Sequence, residues 1–188
     1  HDMRSAYQEY KKFLQVMAHR VPDKKLILKC PDHLWHLDAL LDVFPDACIV
    51  WAHRDPSRSV PSYCSMASLD WRLLYGGFEP KELGPYIENS FLHGTERGMA
   101  VRDRVGEEHF FDINFRNLLN EPVEAVNRIT AHFGLTPVSE EKMDRYLKRD
   151  RPDNRGKHSY TAGHYGLDVS KVRERYRKYI ERFNISLR

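Results

Sequence analysis

The 188-residue chain is long enough for one domain with a substantial core, and its 41% hydrophobic content excludes disorder over most of its length. Thirty Lys and Arg nearly balance 27 Asp and Glu, which argues against a bulk nucleic-acid binder while leaving room for a local basic pocket. No apolar run reaches the roughly 18 residues of a membrane span.

From the N-terminus, Tyr7, Tyr10, Phe13, Leu14 and Met17 recur at helical spacing, so residues 4–19 read as an amphipathic helix. After a polar turn containing Pro22, "LILK" (26–29) reads as a short buried strand ending in a cation. Residues 33–44 place Leu34, Leu37, Leu40, Leu41 and Phe44 on one helical face, with Asp32 as N-cap. "CIVWA" (48–52) reads as a second buried strand, and a helix starts at Pro56. Strand, helix, strand, helix within about 45 residues implies a parallel sheet with right-handed crossovers, hence an α/β layer fold.

Further on, residues 86–104 read as a long helix and "HFFDI" (109–113) as another strand. Residues 120–135 read as a helix with Pro122 near its start and Gly134 just past its end, followed by a helix over 138–149 capped by Ser139. Residues 150–166 are polar, basic and loop-like. Asp168 then caps a last helix with Val169, Val172, Tyr176, Ile180 and Phe183 facing inward.

Ligands of parallel α/β sheets bind beyond the carboxyl ends of the strands. One such end carries Lys29 and His33, the other Arg54 and Ser62, and the topology predicts all four on one rim. Arg54 suits a phosphate because its fork is planar and permanently charged. Ser62 lies in the second helical turn, where its hydroxyl could support an anion held by Arg54 and by free amides at the helix start. The competing reading is a surface Arg54 paired with Asp55 and a Ser62 facing solvent, and Arg58 reads as a solvated helix residue. Lys29 could donate to developing negative charge or simply snorkel from a strand end. His33 could act as a general base or bond backbone, and His36, one turn away, is an alternative base. Cys30, Cys48 and Cys64 have neither disulfide nor zinc spacing, the ten histidines form no HExxH pattern, and metal binding is not expected. The free thiols and the absence of a signal-peptide pattern lead to a cytoplasmic expectation.

"LILKCPDHLWHLDALLDVFPDACIVWAHRDPSRSVPS" resembles the PAPS-dependent sulfotransferase family, especially its bacterial branch. That family carries an Arg-x-Pro turn after a strand and a Ser eight residues beyond the Arg, the spacing of Arg54 and Ser62. Residues 109–135 and 155–183 resemble its next signatures in the same order. The resemblance implies a P-loop-containing nucleoside triphosphate hydrolase-like fold with a parallel sheet flanked by helices. It also implies sulfuryl transfer from 3′-phosphoadenosine 5′-phosphosulfate to a hydroxyl or amine, on a small-molecule, glycan or lipid acceptor, with no metal. Arg54 and Ser62 would contact the 3′-phosphate, with Arg155 and Lys157 in a basic loop over it. Lys29 would stabilise the bridging oxygen and the sulfuryl group, and His33 would take the acceptor's proton.

The family's Gly-, Ser- and Thr-rich 5′-phosphosulfate loop has no counterpart in residues 1–30. The chain, 1–188, is therefore expected to be a single sulfotransferase-like domain corresponding to the C-terminal part of the family's full domain. A missing central strand would expose a sheet edge and favour homo-oligomers. This keeps open the alternative of a non-catalytic sulfotransferase-like fragment or pseudoenzyme that works through association. Another P-loop phosphotransferase is disfavoured, because GxxxxGK[ST] is absent.

Overall fold

The computed structural model describes residues 2–22, 24–149 and 160–187. The chain divides into two compact units, one formed by His1–Ala47 with His93–His109, the other by Cys48–Leu92 with Phe110–Arg188.

In the first unit, α1 (Arg4–Ala18) packs on α2 (Leu37–Val43). Tyr7, Ala39 and Val43 form the contact, flanked by Met3, Tyr10, Leu40 and Phe44. Two polar bonds tie α1 to the C-terminal end of α2: Arg4 Nε to Asp42 Oδ2 at 2.6 Å, and Lys11 Nζ to the Val43 carbonyl at 3.0 Å. Phe13 and Met17 stay exposed, so only part of the expected apolar face of α1 is covered. The helix expected over 33–44 is two pieces, a 3-10 turn over Pro31–His36 and then α2. His36 leaves the helical region (φ −137°, ψ 30°) and separates them. Cys30, not Asp32, occupies the N-cap position, because Pro31 opens the turn. The last part of α4 (Pro80–Val105) belongs to this unit, and Gly94 lets it approach Trp35: a Cβ there would stand 2.5 Å from the indole Cε2.

The strand expected at 26–29 does not form. Residues 25–30 have no regular structure, and Ile27 is 95% exposed. A strand exists only through its ladder, and the sheet among the described residues consists of two other strands.

Those strands, β1 (Ile49–His53) and β2 (Phe110–Asn114), pair in parallel in the second unit, in register from Ile49 opposite Phe110 to His53 opposite Asn114. β1 was expected to be buried throughout, but Trp51 and His53 point inward while Val50 and Ala52 are exposed, so one face is covered. Each strand feeds a helix directly: β1 leads into α3 (Pro56–Tyr75), and β2 into α5 (Phe115–Asn120). α6 (Pro122–His132) and α7 (Glu140–Arg149) follow at the places expected. The single last helix expected after Asp168 is α8 (Val169–Arg175) and α9 (Arg177–Arg182), broken at Tyr176. Asp168 caps α8 as expected, accepting from the Lys171 N–H at 2.9 Å. Val60, Cys64, Leu83, Val172, Tyr176 and Tyr179 are among the buried residues of this unit.

Candidate active site

The end of β1 brings Arg54 to the carboxyl edge of the sheet, between two residues that are each 3% exposed, His53 and Asp55. The end of β2 brings Phe115 to the same edge, where Asn114 caps α5 by accepting from the Arg116 N–H at 3.0 Å. The Arg54 guanidinium lies over the Phe115 ring, 4.7 Å from its centroid, an arrangement that fixes a cation without neutralising it.

Asp55 does not pair with Arg54. Its Oδ1 accepts from the Ser57 N–H at 2.9 Å and the Ser57 hydroxyl at 2.8 Å, and its Oδ2 receives Arg173 Nη2 at 2.6 Å. Burial alone would raise the Asp55 carboxyl; the bonds from Arg173 and Ser57 outweigh it and hold the group below the usual carboxylate range. Among the described residues, no carboxylate pairs with the Arg54 side chain.

The free amides expected at the start of α3 are not free. Pro56 has none, Ser57 is capped by Asp55, and the Arg58 and Ser59 N–H groups both reach the Asp55 carbonyl, at 2.9 and 3.0 Å. The cause is Asp55 itself, whose side chain and carbonyl close the first turn. An anion here must therefore be held by side chains. Ser62 is half-buried in the second turn, and Arg58 is exposed as the sequence suggested.

The other two candidates belong to the first unit. Lys29 is exposed, in the irregular segment before the 3-10 turn. His33 is half-buried, with Nδ1 2.9 Å from the Tyr7 hydroxyl. Burial lowers the His33 pKa, and the Asp32 charge opposes that. His36 is lowered by burial and then by the Arg97 charge, with Asp38 opposing, and its buried Nδ1 has no hydrogen-bond partner. His36 borders a cavity of about 240 Å³ lined with Asp2, Arg4, Asp38 and Arg97. Lys29 and His33 lie in one unit, and Arg54 and Ser62 in the other. Arg155 and Lys157 lie outside the described residues. Among the described residues, no cluster of three or more His, Cys, Asp and Glu could hold a metal ion.

Sequence reasoning missed Tyr7, Arg173 and Tyr179, which contact His33, Asp55 and His53 respectively. Their local patterns read only as helix faces. Asp55 carried a usable signal, since Asp before Pro at a helix start is a capping arrangement.

A parallel strand pair whose carboxyl ends open into helices, with an arginine at that edge that no carboxylate among the described residues pairs with, is the architecture of α/β proteins that bind ligands beyond their strand ends. The chain belongs to the sulfotransferase family, whose sequence profile matches residues 1–140. It is 25% identical over 169 residues to omega-hydroxy-beta-dihydromenaquinone-9 sulfotransferase Stf3 of Mycobacterium bovis and of Mycobacterium tuberculosis, covering 85% of this chain and 41% of the relative. Among solved structures, sulfotransferase STF9 from Mycobacterium avium matches the whole chain at 30% identity and a TM-score of 0.88, over 48% of its own length. Sulfotransferase STF1 from Mycobacterium tuberculosis H37Rv matches 94% of the chain at 31% identity and a TM-score of 0.78, over 46% of its length. The chain thus spans less than half the length of each of these relatives.

Proposed function

We propose that the chain is part of a sulfotransferase that moves a sulfuryl group from 3′-phosphoadenosine 5′-phosphosulfate to a hydroxyl or amine acceptor, and that it supplies the 3′-phosphate side of the donor site. The observation that carries this reading is the commitment of Asp55 to Ser57 and Arg173, which leaves Arg54 without a carboxylate partner among the described residues, while Ser62 is half-buried in the second turn of α3. A planar guanidinium and a hydroxyl suit a phosphate.

When bound, the donor supplies a sulfuryl group already activated on a phosphate leaving group. Arg54 and Ser62 would hold its 3′-phosphate, with Arg155 and Lys157 adding positive charge. Lys29 would stabilise charge on the oxygen bridging sulfur and phosphorus, and His33 would take the proton from the acceptor. His33 is the first base to test, because the Tyr7 hydroxyl engages its Nδ1, whereas the buried Nδ1 of His36 has no hydrogen-bond partner among the described residues. Stf3 is named for an omega-hydroxyl on a dihydromenaquinone, so a lipid hydroxyl is the first acceptor class to test. We place this activity in the cytoplasm; among the described residues, no helix is long and apolar enough to cross a membrane.

The test is thermal unfolding of this chain with 3′-phosphoadenosine 5′-phosphate, using 5′-AMP as control. At about 100 times its Kd the first ligand adds roughly 2.7 kcal/mol of stability. A rise in Tm only with the 3′-phosphate supports the reading. Equal shifts, or none, overturn the Arg54 assignment for this chain.

A second reading, a non-catalytic piece that associates with a second copy, draws on the exposure of Leu26, Ile27, Leu28, Leu73, Leu74 and Tyr75. Sedimentation across a concentration series decides it: a monomer throughout removes this reading.

A further inference from the structure

We infer that Arg173 and Tyr179, on the helix pair α8–α9, are positioning residues for the anion site: they clamp both neighbours of Arg54 and keep Asp55 from neutralising it. The inference rests on reading Arg54 as a phosphate contact.

On one side, Tyr179 Oη lies 3.0 Å from His53 Nδ1, and the Arg54 backbone N–H also bonds to Tyr179. Burial raises the Tyr179 pKa, so the phenol keeps its proton. One proton order then satisfies the chain of bonds. The Arg54 N–H donates to Tyr179 Oη, the Tyr179 O–H donates to His53 Nδ1, and the His53 Nε2–H donates to Asp112 Oδ1 at 2.7 Å. The imidazole is stacked on Phe183, with centroids 4.1 Å apart and planes 19° apart, so the ring is fixed in orientation as well as in bonding. Its contacts reach 126 residues along the chain to Tyr179 and 59 to Asp112.

On the other side, Arg173 holds Asp55 at 2.6 Å and also donates to the Leu187 carbonyl at 2.8 Å. This second clamp has an electrostatic consequence. A carboxylate freed at position 55 would stand one residue from Arg54, with an attraction that competes with any phosphate. Arg173 removes that competitor. The two bonds come from different residues of the helix pair and converge on one three-residue turn, whose central side chain faces Phe115. The arrangement holds the backbone rigid and the guanidinium available, which is what an anion contact needs.

The test measures binding of 3′-phosphoadenosine 5′-phosphate to this chain by calorimetry, well below Tm, with circular dichroism to verify folding. Arg54→Ala reports the underlying reading; if it binds like the parent, that reading and this inference both fall. If Arg54→Ala loses binding, Tyr179→Phe and Arg173→Met should each weaken affinity about tenfold, and Arg173→Lys should recover most of the loss. Adding Asp55→Asn to Arg173→Met should restore binding without restoring Tm, which a purely structural role of Arg173 does not predict. Folded Tyr179→Phe and Arg173→Met chains with parental affinity overturn the inference while sparing Arg54. Amide exchange at Arg54 gives a readout free of ligand: protection lost in Tyr179→Phe supports the clamp, and unchanged protection overturns it. Should Tyr179→Phe fail to fold, Arg173→Lys and the double variant carry the test.

Discussion

The Tyr7 hydroxyl stands 2.9 Å from His33 Nδ1, which joins α1 to the turn that carries the candidate base. Burial, with the nearby Cys30 and Asp32 adding to it, pushes the Tyr7 pKa up to about 12, so the phenol holds its proton across the neutral range. It can donate to an unprotonated Nδ1 or accept from a protonated Nδ1, and the second arrangement is the one a base at this position requires. In that tautomer the Nε2 lone pair is free to accept a proton.

A catalytically competent form carrying His33→Ala should lose turnover far more than donor affinity, and Tyr7→Phe should fall between it and the parent. Steady-state kinetics with separate donor titrations checks this. Turnover retained in His33→Ala would count against the base assignment, and turnover retained in Tyr7→Phe would count against a role for the phenol.

Stability should fall on acidification below the ordinary histidine value of 6.5. Burial holds His33 and His36 below that value when folded, so the unfolded chain binds protons that the folded chain refuses. The contribution is fully present above 6.5 and is lost progressively as pH drops toward the lowered folded values. Thermal melts from pH 7.5 to 5 should show a decline in Tm that flattens in His33→Gln/His36→Gln.

Arg54→Ala should weaken binding of 3′-phosphoadenosine 5′-phosphate by about 1.5–3 kcal/mol, the range for a hydrogen bond to a charged group. Binding of 5′-AMP should change little. Competition titration of the two nucleotides reads the difference directly.

Gly84→Ala should destabilise the second unit by about 1–3 kcal/mol, the usual scale for overpacking. The added Cβ would stand 1.9 Å from the Tyr165 carbonyl oxygen, and backbone cannot swing away as a side chain can. Urea denaturation followed by circular dichroism should show a lower midpoint with an unchanged slope.

The three thiols should separate by reactivity. Cys64 is fully buried, and burial raises its pKa to about 12, whereas Cys30 and Cys48 are exposed. Alkylation of the native chain, read by mass spectrometry, should label Cys30 and Cys48 and spare Cys64 until denaturant is added.

Elements with local punctuation were readable from the sequence. Pro56, Pro122 and Asp168 marked helix starts, and the apolar runs at 48–52 and 109–113 became the parallel pair within a residue. "LILK" misled because an apolar run records a tendency to be extended, whereas a strand also needs a neighbour. The same limit applied at the site. Arg54 was visible as a cation at a strand end. The fate of Asp55, which decides whether that cation is free, depends on Arg173, 118 residues away, and such a contact leaves no local pattern.

The distance along the chain between the turn at Arg54 and its clamp also sets an order of events during synthesis. Tyr179 follows Arg54 by 125 residues, so at roughly 5–20 residues per second the turn waits on the order of 6–25 s for its partner to be made. Through that interval Asp55 and Arg54 are neighbours without Arg173 between their charges, and His53 has no phenol to bond. The residues of the β1–α3 turn are therefore made early and those of its clamp late, and a chain stopped before α8 would carry the turn without its clamp.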